Sequence, residues 1–253
     1  MGPPVRAVAV IGYKGSGKTR IAEMLIEGLA ERGYRVAAIK HVHGSLKLPE
    51  SDSARLFRAG AEAVLAVSSE ACEFLERRGL ELWEALSLVR SYDYVVVEGF
   101  KSQFPGYRIV AARTLEEAAS FRGPLVLAYS GPVASLEEAR SLEAPVIDAV
   151  REPERLIDLV ENKAFEPPAG LDCGACRYGS CLALAEAVAR GKAGVEECVA
   201  LRGAVTLVVD GREIALNPFV QELVKNVLLA MVKSLKGVPS RPRSVEVRLR
   251  AAP

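Results

Sequence analysis

An almost unbroken apolar run from Val5 to Ile11 predicts a buried parallel strand. Past a glycine-rich turn, Ile21, Met24, Leu25 and Leu29 fall at helical spacing and predict an amphipathic helix that closes at Gly33. The alternation continues to about residue 160. Strands are expected at Arg35–Lys40, Ala63–Val67, Tyr94–Val97, Arg108–Ala112, Leu125–Tyr129 and Pro145–Ile147, with helices at Ser53–Arg58, Leu80–Arg90, Leu136–Ser141 and Glu152–Glu161. Strands alternating with helices read as an α/β fold with a doubly wound, mostly parallel sheet. Tyr107–Ala112 follows Val95–Phe100 too closely for a crossover helix, which places one antiparallel hairpin at that point.

The pattern then breaks. Residues 163–171 contain the run Glu166-Pro167-Pro168-Ala169-Gly170 and read as a linker between a first domain, residues 1–162, and a second, residues 172–253. The second opens on a cysteine segment and a helix at Leu182–Arg190. Two short strands, Ala204–Val209 and Arg212–Leu216, meet at Asp210-Gly211, a type I′ hairpin signal. Asn217-Pro218 supplies an N-cap and a first-turn proline for a helix to about Lys236, ended by Gly237. Ser244–Arg250 alternates apolar and charged residues, as a half-exposed strand does. A small α+β module of this size gains from a metal staple.

Composition narrows the class. The 253 residues are 50% hydrophobic and 26% charged, with a net charge of +1. That balance gives no electrostatic case for nucleic acid or a membrane surface as a partner. No apolar run reaches the ~18 residues of a spanning helix, and the first residues lack the apolar core of a signal peptide, so a cytoplasmic location is expected. Five cysteines in such a chain argue for metal or cluster binding rather than a disulfide framework. Four of them lie between residues 173 and 198.

Chemistry enters at the first turn. Gly12-Tyr13-Lys14-Gly15-Ser16-Gly17-Lys18-Thr19 is a complete phosphate-binding loop, G-x-x-x-x-G-K-[ST], between a strand and a helix, with Arg20 following. Backbone N–H groups at the helix start have no intrahelical partner, and the helix dipole favours negative charge there. Lys18 is expected on the β- and γ-phosphates and the Thr19 hydroxyl on Mg²⁺. A second element is Asp93-Tyr-Val-Val-Val-Glu98-Gly99, where an apolar strand delivers a carboxylate at its end. Glu98 is positioned to organise Mg²⁺ and the attacking water; the competing reading is a buried strand that merely ends in glutamate. Asp52 and Arg55 stand where a segment sensing the γ-phosphate would follow the second strand; the alternative is a helix cap and a solvated charge. His41 and His43 are too sparse for a metal site alone. Lys14 is expected to face solvent, Cys72 to be a small buried hydrophobe, and Trp83 to belong to the core.

Gly12–Thr19, Ile39-Lys40-His41-Val42-His43-Gly44, Asp52 with Ala59-Gly60-Ala61, and Val97-Glu98-Gly99-Phe100-Lys101 together resemble the molybdopterin-guanine dinucleotide biosynthesis protein B family (MobB). The resemblance covers about residues 5–162. It implies a GTP-binding, weakly hydrolysing, usually dimeric protein that assists attachment of GMP to molybdopterin, with transfer itself performed by a separate nucleotidyltransferase, MobA. No N-K-x-D guanine reader is present, since Asn162-Lys163-Ala164-Phe165 lacks the aspartate. The choice of GTP over ATP thus comes from the resemblance alone.

Cys173-Gly-Ala-Cys176-Arg-Tyr-Gly-Ser-Cys181, with Cys198 after sixteen intervening residues, is similar to the four-cysteine [4Fe-4S] domain of corrinoid iron–sulfur proteins and of some archaeal-type MobB chains. A cubane cluster needs four thiolates, one per iron. Zn²⁺ accepts four as well, and spacing alone does not separate the two; reduced structural thiols are the third reading. Two other functional classes are compatible with the residues, an NTP-driven metallochaperone or cluster carrier and a non-catalytic nucleotide-bound adapter.

Overall fold

The computed structural model describes residues 5–209, 212–214, 216–239 and 242–249. Its elements run in the order β1 (Arg6–Gly12), α1 (Lys18–Glu31), β2 (Val36–Lys40), α2 (Asp52–Arg58), β3 (Ala63–Val67), β4 (Cys72–Glu76), α3 (Leu82–Leu88), β5 (Tyr94–Glu98), β6 (Arg108–Ala111), α4 (Leu115–Ala119), β7 (Val126–Ser130) and α5 (Pro153–Lys163). They are followed by α6 (Cys181–Ala189), β8 (Leu207–Val209), β9 (Arg212–Ile214) and α7 (Pro218–Lys233). The chain divides into two compact units between Glu166 and Pro167.

In the first unit five strands form one sheet in the order β2-β5-β1-β6-β7, and every neighbouring pair is parallel. Side-chain alternation along β1 explains why both faces are covered. Val8 and Val10 point into a core closed by Leu25 and Leu29 of α1 and by Leu156, Ile157 and Val160 of α5. Ala7, Ala9 and Ile11 point into the opposite core, closed by Leu82 and Leu86 of α3 and Ala118 of α4. The sheet is therefore doubly wound, as the alternation of elements requires. On the first face Arg32, just past α1, donates to Glu154 (2.7 Å), Asp158 (2.6 Å) and Glu161 of α5 and ties the two helices together. Those carboxylates hold its guanidinium pKa above the ordinary value.

The antiparallel hairpin exists, but at a different place from the one the spacing predicted. β5 and β6 are not paired: both lie parallel to β1, which runs between them. The short connection from 99 to 107 therefore crosses one face of the sheet at β1 without a helix, burying Phe104 in the core on that face. The hairpin is β3–β4, a separate two-stranded sheet whose second strand is not among those the pattern predicts. Pro145–Ile147 makes only an isolated bridge, Val146 to Tyr129, and Leu136–Ser141 forms a 3₁₀ turn over Glu137–Ser141. Helix α4, capped by the Thr114 hydroxyl on the Glu117 N–H, was not foreseen because five residues carry too little periodicity.

In the second unit the small core consists of Ala169, Leu184 and Cys198, with Leu171, Cys176, Tyr178 and Val188 packed against it. Ser180 caps α6 by accepting the Ala183 N–H at 3.1 Å. Asn217 caps α7 on the Val220 N–H at 2.9 Å with Pro218 at the first helical position, and the helix ends at Lys233, three residues earlier than expected. Strands β8 and β9 pair antiparallel; Asp210 and Gly211 of the expected turn lie outside the described residues. The strand expected at Ser244–Arg250 does not form over 244–249, where the backbone joins no sheet.

Candidate functional site

The phosphate loop leaves the central strand of the sheet, where open α/β sheets place their ligands. Gly12 pairs with Ala111 of β6 in register. Its φ is 147°, and a Cβ there would lie 2.1 Å from the Ala111 carbonyl oxygen, so only glycine lets the loop turn off this strand. The loop closes on itself: the Ser16 hydroxyl donates to Tyr13 O at 2.9 Å, and the Lys18 ammonium donates to the same oxygen at 2.6 Å. Helix α1 begins after Gly17, which offers no side-chain cap, and its first turn holds no acidic residue. Its leading N–H groups are left for an anion.

At the mouth of the loop three side chains from three strand or helix ends meet. The Thr19 hydroxyl lies 3.1 Å from both Glu98 carboxylate oxygens, and the Lys40 ammonium lies 2.8 Å from Glu98 Oε2 and 3.4 Å from Thr19 Oγ1. Register explains the meeting. Glu98 ends β5 beside Lys40 at the end of β2, while Val10 opposite Glu98 leads directly into the loop. A third cation, Lys101, rests its ammonium 4.4 Å from the Tyr13 ring centre and 5.6 Å from that of Phe121. Burial lowers the Lys18 pKa; Glu98 opposes the shift, and Lys101 and Lys40 add to it. Cations are thus crowded at the loop.

The remaining candidates divide. Arg20 is exposed and faces Glu23 at 3.8 Å, and Lys14 faces solvent as expected. Asp52 opens α2, but the cap of that helix is Ser51, whose hydroxyl accepts the Ala54 N–H. The Asp52 side chain is 92% exposed and pairs with Arg55 at 3.0 Å; among the described residues no hydrogen bond or ion pair joins it to the loop. His41 stacks on Phe100 at 4.5 Å, with His43 edge-on at 4.6 Å. Cys72 is exposed on β4, which corrects its reading as a buried hydrophobe. A strand with one face off the core cannot hide every other residue. Trp83 is partly buried. Lys40 and Lys101 stand in the runs that carry the family resemblance, but spacing alone assigns neither of them a role. Lys40 ends a predicted strand beside the one that ends in Glu98, but their neighbouring order is a product of topology.

Cys173, Cys176, Cys181 and Cys198 all line one small cavity of the second unit. Three come from the loop ahead of α6 and its first residue, whose backbone turns through Asp172 at φ 42° and Gly174 at φ 66°. Asp172 fixes that loop by accepting the Cys181 N–H at 2.6 Å. Cys198 is buried and follows a short 3₁₀ turn. Burial pushes the Cys181 thiol pKa up, against the hydrogen bonds from the Asp172 and Gly170 region. Among the described residues, no three His, Cys, Asp or Glu side chains are arranged to hold one metal ion.

Comparison with known proteins places both halves. The family described as "Molybdopterin guanine dinucleotide synthesis protein B" matches residues 7–128, and one described as "Putative Fe-S cluster" matches residues 169–200, which hold all four cysteines. A Methanocaldococcus jannaschii protein named "Putative molybdopterin-guanine dinucleotide biosynthesis adapter protein" is 30% identical over 250 residues, 97% of each chain. An Escherichia coli protein named "Molybdopterin-guanine dinucleotide biosynthesis adapter protein" is 30% identical over 104 residues, 38% of this chain and 59% of its own length. The crystal structure of Bacillus subtilis MobB superposes with a TM-score of 0.53 at 24% identity, over 63% of this chain and 98% of that one, a likeness of fold. Among the described residues no helix is long and apolar enough to cross a membrane.

Proposed function

This chain belongs to the molybdopterin guanine dinucleotide synthesis protein B family and is an adapter of molybdenum cofactor biosynthesis, and we propose that it acts there by binding GTP and hydrolysing it slowly. The observation that carries the nucleotide part is the meeting of Thr19, Glu98 and Lys40 at the mouth of the phosphate loop. A hydroxyl and a carboxylate side by side, already attracting an ammonium, fit Mg²⁺, which takes one or two protein oxygens and keeps its waters. Thr19 and Glu98 would hold the ion there, and it would supply positive charge against the phosphates. Lys18 exchanges Tyr13 O for the phosphates, the free N–H groups of α1 hold them, and Glu98 orients the water side of the site. Among the described residues these elements carry no glutamine to position a water, and Arg20 of α1 faces Glu23, so slow intrinsic turnover is expected.

Glu98→Gln is expected to lower GTP hydrolysis by about tenfold or more while changing GTP affinity much less, because the carboxylate acts on metal and water rather than on the base. Phosphate release set beside calorimetric affinity reads this split. A rate indifferent to the substitution, or rapid turnover by the chain alone, counts against it. The same turnover assay separates a GTPase from an adapter whose nucleotide is only structural.

The partner proposed is a MobA-like nucleotidyltransferase acting on molybdopterin in the cytoplasm, assisted by a homodimer of this chain. One face of the β3–β4 hairpin supports the dimer. Leu65 opposes Phe74 and Val67 opposes Cys72 in the ladder, and these side chains stand out from the unit, with Leu65, Val67 and Phe74 57–75% exposed. A contiguous apolar ladder of that kind marks a contact surface. Phe74→Glu should convert the dimer to monomer in sedimentation without lowering the melting temperature of the first unit. A monomeric wild type would refute the assignment. For the second unit we propose a [4Fe-4S] cluster on Cys173, Cys176, Cys181 and Cys198. Four thiols line one cavity and would offer the four ligands, one to each iron of a cubane, once binding drew together side chains that are not now gathered around a single ion.

A further inference from the structure

Beside the phosphate loop the first unit holds an open cavity of about 560 Å³, inside the range of roughly 300–1,000 Å³ that small-molecule sites occupy. Its near end is made by Gly17, Arg20 and Ile21 at the start of α1 and by Gly131, directly after β7. Gly131 has φ 86°, and a Cβ there would come within 3.0 Å of Ser16 O and 3.1 Å of Ala112 O. The end of β7 is thus seated against the loop itself. The segment that follows is laid along β7 by two hydrogen bonds, Tyr129 N–H to Pro145 O and Ile147 N–H to Tyr129 O, both 2.9 Å. That places Asp148 at the carboxyl edge of the sheet, in the cavity wall.

Charge is divided between the two places. Lys18, Lys40 and Lys101 gather at the loop. The charged lining of the cavity is Glu27, Glu31, Asp148 and Glu154 against Arg20 and Arg151. A triphosphate is driven to the first place and kept out of the second. A neutral, planar group joined to it has Ile21, Met24, Pro132 and Ala149 as apolar walls in the second. We propose that this cavity takes the purine of the bound nucleotide and that Asp148 makes it a guanine site, a step that rests on the phosphate-loop reading above.

Acceptor arithmetic supports guanine. A carboxylate offers about four acceptor positions. Oδ1 of Asp148 receives the N–H groups of Val150 at 2.9 Å and Arg151 at 3.2 Å, which fixes the side chain. Arg151 Nε stands 3.6 Å from Oδ2, beyond hydrogen-bond length. Two acceptor positions remain, the number that the N1–H and 2-amino group of guanine require. Adenine would bring the N1 lone pair against the carboxylate, and xanthine its 2-oxo group. This single loop aspartate supplies what the missing N-K-x-D run would have supplied.

The test is calorimetric binding of GTP, ATP, ITP and XTP, each with Mg²⁺, to the full chain and to Asp148→Asn. Wild type should prefer GTP over ITP, which lacks the 2-amino group, by about tenfold, since a hydrogen bond to a charged acceptor is lost. Asp148→Asn keeps an oxygen for Val150 and Arg151 and should melt with wild type. It should lose GTP affinity by about 10- to 100-fold and gain affinity for XTP, whose 2-oxo group accepts from the new amide. Equal affinity of wild type for GTP, ITP and ATP overturns the assignment while leaving the phosphate loop standing. So does a variant weakened by one factor for all four nucleotides, which a merely structural aspartate would give. A wild type that binds none of the four overturns the nucleotide reading and this inference together.

Discussion

Lys18→Ala is expected to reduce GTP affinity by about 30- to several-thousand-fold, the roughly 2–5 kcal/mol that follows from removing one partner of a shielded, hydrogen-bonded charge pair. The expectation comes from the loop's own electrostatics. Burial already lowers the Lys18 pKa, and Lys101 and Lys40 press it further down, with only Glu98 and Glu117 resisting. An arriving polyphosphate reverses that shift: it supplies the negative charge that the clustered ammonium groups lack. Removing Lys18 therefore deletes the cation closest to the helix start, which Lys40 cannot replace while it is held by Glu98 at 2.8 Å. The loop should keep its shape, because Ser16 still donates to Tyr13 O and Gly12 still turns off β1. Calorimetric titration checks the effect, and circular dichroism checks that the variant is folded. Equal affinity of wild type and Lys18→Ala would remove the phosphate loop from the nucleotide site. Thr19→Ala should differ in kind, weakening the Mg²⁺-dependent part of binding, since its hydroxyl meets Glu98 rather than Lys18.

How much of this was readable beforehand follows the range of each signal. The phosphate loop was legible because strand, turn and helix lie within one stretch, and each glycine has a local reason. The end of β5 and the start of α7 were legible for the same cause: Glu98 closes an apolar run, and Asn217-Pro218 is a cap and a first-turn proline in adjacent positions. What failed was non-local. Nothing in Val95–Phe100 or Tyr107–Ala112 says that β1 will run between them, so proximity in sequence was mistaken for pairing. Strand β4 escaped because Cys72–Glu76 interleaves charge with apolar residues on a sheet that covers little. Lys40 and Asp148 belong to the site only through strand order and the bridge along β7. Side chains brought together by a crossover leave no spacing to read.

Loss of the metal is expected to unfold the cysteine module while the nucleotide unit stands. Among the described residues the core cluster of that module is Ala169, Leu184 and Cys198 with partly buried neighbours, a small apolar core of the kind that gains from a metal staple. Cys173, Cys176 and Cys181 sit on one loop and Cys198 returns beyond α6, so a bound cluster closes a ring that the core does not, and its binding free energy becomes folding free energy. Two variants separate the causes. Cys198 is 5% exposed, so Cys198→Ser loses a ligand and also buries a hydroxyl. Cys173 is exposed, so Cys173→Ser loses a ligand with almost no packing change. If the cluster is the staple, both should lose iron and visible absorption, and both should lower the melting transition of the second unit by about 8–16 °C or more, at roughly 4–8 °C per kcal/mol for a domain this small. GTP affinity should change little in either. About four irons per chain in anaerobically purified protein support the cubane; a single zinc with no visible absorption replaces it with a structural zinc site. A Cys173→Ser chain that melts like wild type, or a second unit that folds fully without metal, defeats the staple in both forms.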